Sequence, residues 1–163
     1  MEFFNAGTEH LLLLNNLINL GSEKDIVLIH ASRDISAPPD NVWNVIADID
    51  REPEFWHGTK SIRNISKQGN FVQREVVIAF RNSVCQEIVE LNAKTSVNVK
   101  MIEGPIKGKK TIVLKPIGEE ATRIDVEWDI RVSGFFGIFT GTIKKHILKG
   151  TQEALERISK TVS

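Results

Sequence analysis

The last third of the chain carries the pattern that most constrains the fold. From residue 136 onward, apolar or small residues recur at the i, i+3, i+4 spacing of one helical face. These positions are Phe136, Phe139, Thr140, Ile143, Ile147, Gly150, Ala154 and Ile158. Charged residues such as Lys145, Lys149 and Glu156 occupy the opposite face. The pattern predicts one long amphipathic helix that runs to Val162 and lies on an apolar surface.

Two glycines, Gly137 and Gly141, interrupt the first turns of this predicted helix. Glycine inside a helix costs about 0.5–1 kcal/mol relative to alanine. Two explanations are open: close packing of the helix on a sheet, or a cavity wall that approaches the backbone. The apolar run from Val132 to Ile143 is shorter than the roughly 20 residues of a membrane span.

The middle of the chain indicates strands separated by turn signals. Residues 26–35 alternate as a strand does, Pro38 and Pro39 then open a short helix, and residues 53–58 form a second short helix or turn. Further strands are predicted at 60–67, 71–80, 84–91, 96–103, 108–117 and 122–132. Because the connections are short, these strands form an antiparallel meander, whose apolar face the C-terminal helix covers.

Composition excludes several classes of protein. A chain of 163 residues is long enough for one core. Lys plus Arg (21) equals Asp plus Glu (21), so no net charge attracts nucleic acid. Cys85 is the single cysteine, which rules out an internal disulfide, and no secretory signal is evident, so we expect a cytoplasmic protein. The four histidines are scattered, and neither a metal site nor a cofactor motif is predicted.

Residues 1–24 differ from the rest and are predicted to be an N-terminal appendage. The stretch Leu11–Leu20 is leucine-rich, with Thr8 suited to start a short helix and Gly21 to end it. This helix is too short to cross a bilayer. It could dock on the domain, cover a pocket mouth or pair two copies as a homodimer, and a misassigned start codon is a further alternative.

Several segments together resemble a known family. They are the strand-to-helix opening Arg33–Trp43, Asp48, the segment Pro53–Trp56, the turn Gly118–Arg123 and the closing helix. This arrangement resembles the START-like superfamily of polyketide cyclases, lipid-transfer domains and coenzyme-Q-binding proteins. The resemblance covers residues 25–163 and implies an α+β helix-grip fold. In that fold a curved antiparallel sheet of about seven strands wraps around the C-terminal helix, with two short helices after the first strand and an apolar cavity between sheet and helix.

Eight residues are candidates for the wall of this cavity. They are Arg33, Trp56, Phe80, Trp128, Ile130, Phe136, Phe139 and Ile143. A solid core filled by the same residues is the alternative. Arg33 shares a strand face with Val27 and Ile29, so its guanidinium would need a partner such as Glu75, Glu87 or the polar head of a ligand. A shift of register would instead place Arg33 in water.

Other charged residues are predicted to be solvated. Asp48, Asp50, Glu52 and Glu54 form an acidic stretch that is predicted to be exposed. Lys107, Lys109 and Lys110 form a small basic cluster at a strand end that is also expected to face water.

Three functions follow from these observations. The first is non-enzymatic binding or transfer of a small hydrophobic molecule, such as a lipid, quinone or polyketide-like compound, with transient membrane contact. The second is a cyclase or dehydratase enzyme, for which His57 beside Trp56 is the candidate acid or base. The third is a protein-interaction module that uses Leu11–Leu20.

Overall fold

The computed structural model describes residues 25–163, and the predicted N-terminal helix lies outside this range. Seven strands are formed: β1 Ile26–Ile35, β2 Thr59–Gln68, β3 Phe71–Ile78, β4 Val84–Asn92, β5 Ser96–Glu103, β6 Ile106–Gly118 and β7 Ala121–Val132. The α-helices are α1 Pro39–Ile46, α2 Glu52–Phe55 and α3 Thr140–Val162, and short 3-10 helices span Ile49–Arg51, Phe80–Asn82 and Gly134–Phe139.

The strands form a single antiparallel sheet in the order β1-β7-β6-β5-β4-β3-β2. Strands β2 to β7 follow one another as a meander, and β1 closes the far edge by pairing with β7. Short turns such as Gly69-Asn70 join neighbouring strands, as the sequence predicted. With two short α-helices after β1 and a long C-terminal helix, this is the predicted helix-grip architecture.

Helix α3 covers one face of the sheet and forms two apolar clusters with it. Its C-terminal half contributes Ala154, Leu155 and Ile158 to a cluster that also contains Val42 and Ile46 of α1. Its N-terminal half contributes Ile143, which packs with residues of β1, β5, β6 and β7. Both the N-terminal and the C-terminal half of the helix therefore pack on this face of the sheet.

The start of the C-terminal helix differs from the prediction. Residues Gly134–Phe139 form a 3-10 helix, and the α-helix begins only at Thr140. A Cβ atom built on Gly137 would lie 2.5 Å from Oδ1 of Asp25, so Gly137 is explained by close packing. Gly141 has open space around it and does not line a cavity. Neither glycine forms the cavity wall.

Candidate functional site

A cavity of about 580 Å³ lies between the sheet and helix α3. Its volume is within the range of sites that hold small molecules. Apolar side chains of β3, β5 and β6, such as Val76, Met101 and Ile106, form one wall. Ile143 and Ile147 of α3 form the opposite wall. The cavity therefore runs along the N-terminal half of the helix.

Exposure distinguishes the mouth of the cavity from its interior. The exposed residues of the wall are His57, Gly58, Ala79, Arg81, Phe139, Thr142 and His146. They come from the segment after α2, from the β3–β4 connection and from the start of α3, which meet at one end of the sheet. Most of the other wall residues are at least partly shielded from solvent. The mouth therefore opens between these three segments.

Five of the eight residues predicted to line a cavity are in its wall: Trp56, Phe80, Trp128, Phe139 and Ile143. The candidate His57 is also in the wall, at the mouth. Ile130 instead lies fully buried in an apolar cluster, and Phe136 packs edge-to-face on Phe80 with ring centroids 5.4 Å apart. That these residues bind a ligand stays a prediction.

Arg33 does not reach the cavity, which corrects our expectation. The pairing of β1 with β7 is continuous from Ile26 to Ile35, so no shift of register has occurred. Arg33 nevertheless is exposed, since it lies near the end of an edge strand, where its charge interacts with Glu156 of α3. The acidic residues proposed as its partners pair elsewhere, Glu87 with Arg74 and Glu75 with Arg63.

Four charged side chains meet at the inner end of the cavity, and we call them the charge cluster: Glu52, Arg74, Glu87 and Lys110. Arg74 is completely buried and donates from Nε to Oε1 of Glu87 at 2.5 Å and from Nη2 to Glu52. Lys110 donates from Nζ to Oε1 of Glu52 at 3.0 Å. Two cations thus face two carboxylates, and the formal charge of the cluster is zero. Glu52, Glu87 and Lys110 also form part of the cavity wall.

The pKa values of the two carboxyl groups shift in opposite directions. Burial opposes ionisation of Glu52, but Lys110 and Arg74 outweigh it and lower the pKa of Glu52 from 4.5 to about 2. Burial raises the pKa of Glu87, and the neighbouring charge of Glu52 adds to this rise despite Arg74. Glu52 is therefore the firmly ionised carboxylate, and Glu87 is the one that takes up a proton more readily.

Lys110 contacts two tryptophan rings in the cavity wall. Its Nζ atom is 4.5 Å from the ring centroid of Trp56 and 5.2 Å from that of Trp128, distances typical of cation–π contacts. The indole of Trp128 donates to Oγ1 of Thr151 at 3.0 Å, and Thr151 donates to the carbonyl of Ile147 at 2.7 Å. The ammonium group is thus held in place by the sheet, by α2 and, through Trp128, by α3.

Sequence reasoning missed this cluster, because it assigned Glu52 and Lys110 to solvent. Lys110 is only 4% exposed. Strand alternation could have predicted the burial of two of these residues, because residues two apart in a strand lie on the same face. Arg74 is two residues from the buried Val72 and Val76, and Lys110 is two residues from the buried Ile112. Glu87 follows the same rule in β4. Glu52 has no such signal, since it belongs to a short helix whose placement depends on tertiary packing.

Other kinds of site find no support in the described part of the chain. Residues 25–163 contain no group of three or more His, Cys, Asp or Glu side chains arranged to hold a metal ion. No helix within the same residues is long and apolar enough to cross a membrane.

The fold and the cavity define a class of protein, the helix-grip proteins in which a curved sheet and a C-terminal helix enclose a site for a small molecule. The sequence profile of one family, described as "Polyketide cyclase / dehydrase and lipid transport", matches residues 27–163. The chain therefore belongs to the polyketide cyclase / dehydrase and lipid transport family. No curated protein sequence matches it significantly.

Solved structures share the fold at low sequence identity. A protein from Thermus thermophilus is 19% identical, with a TM-score of 0.71, over 83% of this chain and 96% of that one. A START superfamily protein from Mycobacterium smegmatis is 15% identical, with a TM-score of 0.68, over 83% and 99%. The Zhui aromatase/cyclase from Streptomyces sp. R1128 is 15% identical, with a TM-score of 0.60, over 82% and 87%. These similarities establish the fold.

The lowered pKa of Glu52 predicts how stability depends on pH. Ionised Glu52 stabilises the fold fully above its ordinary pKa of 4.5, and this contribution is lost as pH falls toward about 2. The measurement is urea unfolding between about pH 2 and 7. We expect the free energy of unfolding of wild type to exceed that of Glu52→Gln by an amount that is largest above pH 4.5. That amount should decrease by roughly 3 kcal/mol on acidification.

Glu54→Gln is the matched control, because Glu54 belongs to the same short helix but its side chain is 56% exposed. Its stability should follow that of wild type across the whole range, since exposed ion pairs contribute little. A difference between wild type and Glu52→Gln that stays constant with pH would contradict the assignment of Glu52.

Proposed function

We propose that this protein binds a small, largely apolar molecule in the cavity between the sheet and α3. The observation that carries the proposal is the cavity itself, about 580 Å³ in volume, walled mainly by apolar side chains and containing the buried ammonium group of Lys110. Burying a large apolar group is worth about 1.5–3 kcal/mol. The lining therefore supplies affinity, and Lys110 supplies orientation.

Lys110 is suited to an oxygen acceptor on the ligand. An ammonium group has three N–H donors, and among the described residues only Glu52 accepts a hydrogen bond from it. Because Lys110 also lines the cavity, it can donate to an oxygen of a bound molecule as well. We infer that this oxygen lies beside Trp56 and Trp128, where the ammonium group is held.

The charge of the cluster favours a neutral acceptor over an anion. An anionic head placed near Lys110 would also approach the carboxyl groups of Glu52 and Glu87, and like charges in a low-dielectric site repel strongly. A carbonyl or hydroxyl oxygen avoids this repulsion. Among small hydrophobic molecules, we therefore favour ketone-bearing compounds of the quinone or polyketide-like type over anionic lipids.

Filling the cavity should prevent binding. A Cβ atom built on Gly150 meets no atom within 4 Å, and Gly150 is part of the cavity wall. Gly150→Leu should therefore place a side chain in the cavity without disturbing the fold, and it also removes an unfavourable helix glycine. In fluorescence titrations with the uncharged dye N-phenyl-1-naphthylamine, we expect Kd to rise at least about tenfold, a cost of roughly 1.4 kcal/mol.

Gly141→Leu is the control for this experiment, because Gly141 is in the same helix with open space around it but outside the cavity. Its Kd for the dye should equal that of wild type. If Gly150→Leu remains folded and binds the dye as tightly as wild type, the cavity is not the binding site.

The role of Lys110 is tested with two ligands that differ in one oxygen, 2-acetylnaphthalene and 2-ethylnaphthalene. A hydrogen bond from a charged donor contributes about 1.5–3 kcal/mol, so wild type should prefer the ketone by about tenfold or more. Lys110→Met should lose this preference. Lys109→Met should keep it, because Lys109 is the exposed neighbour on the other face of β6. Equal preferences in wild type and Lys110→Met would contradict the role of Lys110.

A cyclase or dehydratase activity is the second candidate function. The observation that favours it is that two imidazoles, His57 and His146, lie in the cavity wall at the mouth, where either could exchange protons with a bound ketone. The aromatase/cyclase with the same fold gives this candidate a precedent. Under this hypothesis His57→Ala abolishes turnover of a poly-β-ketone while the Kd for the dye is unchanged. Turnover in His57→Ala equal to that in wild type would exclude His57 as the catalytic acid or base.

A further inference from the structure

An apolar patch is exposed beside the mouth of the cavity. It consists of Phe135, Ile138 and Phe139 in the 3-10 helix that precedes α3. Phe135 and Ile138 are each 76% exposed and Phe139 is 38% exposed. Phe139 also belongs to the cavity wall. Large apolar side chains clustered on a surface typically mark a contact site.

The described part of the chain begins next to this patch. The carbonyl of Asp25 accepts a hydrogen bond from the amide of Val132 at 3.0 Å, which fixes Asp25 at the end of β7. The carboxylate of Asp25 also packs so closely on Gly137 that a Cβ there would lie 2.5 Å from it. Gly137 stands between the residues of the patch. Asp25, the residue to which residues 1–24 are attached, therefore lies beside the patch.

The sequence of residues 1–24 contains an apolar stretch of suitable length. Seven of the ten residues in Leu11–Leu20 are Leu or Ile. The five steps from Leu20 to Asp25 span at most roughly 17 Å, so the tether between this stretch and the described domain is short. A short tether of this kind gives an effective concentration on the order of millimolar, which favours contact even where the intrinsic affinity is weak.

We propose that Leu11–Leu20 docks on the apolar patch formed by Phe135, Ile138 and Phe139. The tether favours this occupant over a membrane or a second copy, which must reach the patch from solution. Phe135 and Ile138 lie outside the cavity wall and only Phe139 belongs to it, so the proposal does not depend on which ligand the cavity binds.

Hydrogen–deuterium exchange by mass spectrometry tests the proposal on the full chain. The variant is Phe135→Ser with Ile138→Ser, two exposed positions whose substitution leaves the core intact. The matched control is Ile117→Ser, another exposed apolar residue, 49% exposed, at the end of β6. Thermal unfolding verifies that each protein is folded. Sedimentation velocity at several concentrations and flotation with phosphatidylcholine–phosphatidylserine vesicles accompany the exchange data.

We expect the amides of residues 11–20 to exchange several-fold more slowly in wild type and Ile117→Ser than in the double variant, independently of protein concentration. Equal exchange in wild type and the double variant would overturn the proposal. Protection that develops only at concentrations where the protein dimerises would also overturn it and assign the patch to a second copy. Absence of protection without vesicles, together with vesicle binding that is lost in the double variant, would overturn it in favour of a membrane.

Discussion

The placement of Arg74 between two carboxylates is the interaction on which the cavity depends. A buried guanidinium without partners would cost several kcal/mol, so Glu87 on the neighbouring strand and Glu52 of α2 must both be in place. Arg74 also donates to the carbonyl of Ile49 at 3.2 Å. These bonds attach residues 49–55 to the inner face of the sheet. They thereby place Trp56 edge-to-face against Trp128, with both rings beside the ammonium group of Lys110.

Stability alone does not explain such a cluster. Removing charges from water costs about as much as their pairing returns, and replacing a buried ion network by apolar residues is often neutral or stabilising. A sheet face that packs only on a helix would be expected to carry apolar residues at these positions. The charges are instead part of a cavity wall, where they can act on a bound molecule. This is the physical reason for the proposal that this end of the cavity recognises the ligand.

The sequence predicted the fold well, because the fold depends on local signals. Glycine turns and alternation placed all seven strands, with bounds that differ from the structure by at most two residues. The i, i+3, i+4 spacing of apolar residues predicted α3, although the first predicted turns form a separate 3-10 helix. The site was predicted less well. Charged residues were assigned to solvent by type, even where alternation put Lys110 inside. Arg33 was assigned inside by alternation, although it is exposed near the end of an edge strand.

The two kinds of residue in the cavity contribute differently to function. An apolar wall such as that of Val76, Met101 and Ile143 distinguishes ligands weakly, because one methylene is worth only about 1–3 kcal/mol. A buried polar group distinguishes ligands strongly, since a ligand that leaves this group without a hydrogen-bond partner loses much more binding free energy. Under the proposed binding function, the apolar residues therefore form the cavity, and the inward-facing charges set its selectivity. The inward lysine of β6 is for this reason more informative about the ligand than the phenylalanines that first suggested a cavity.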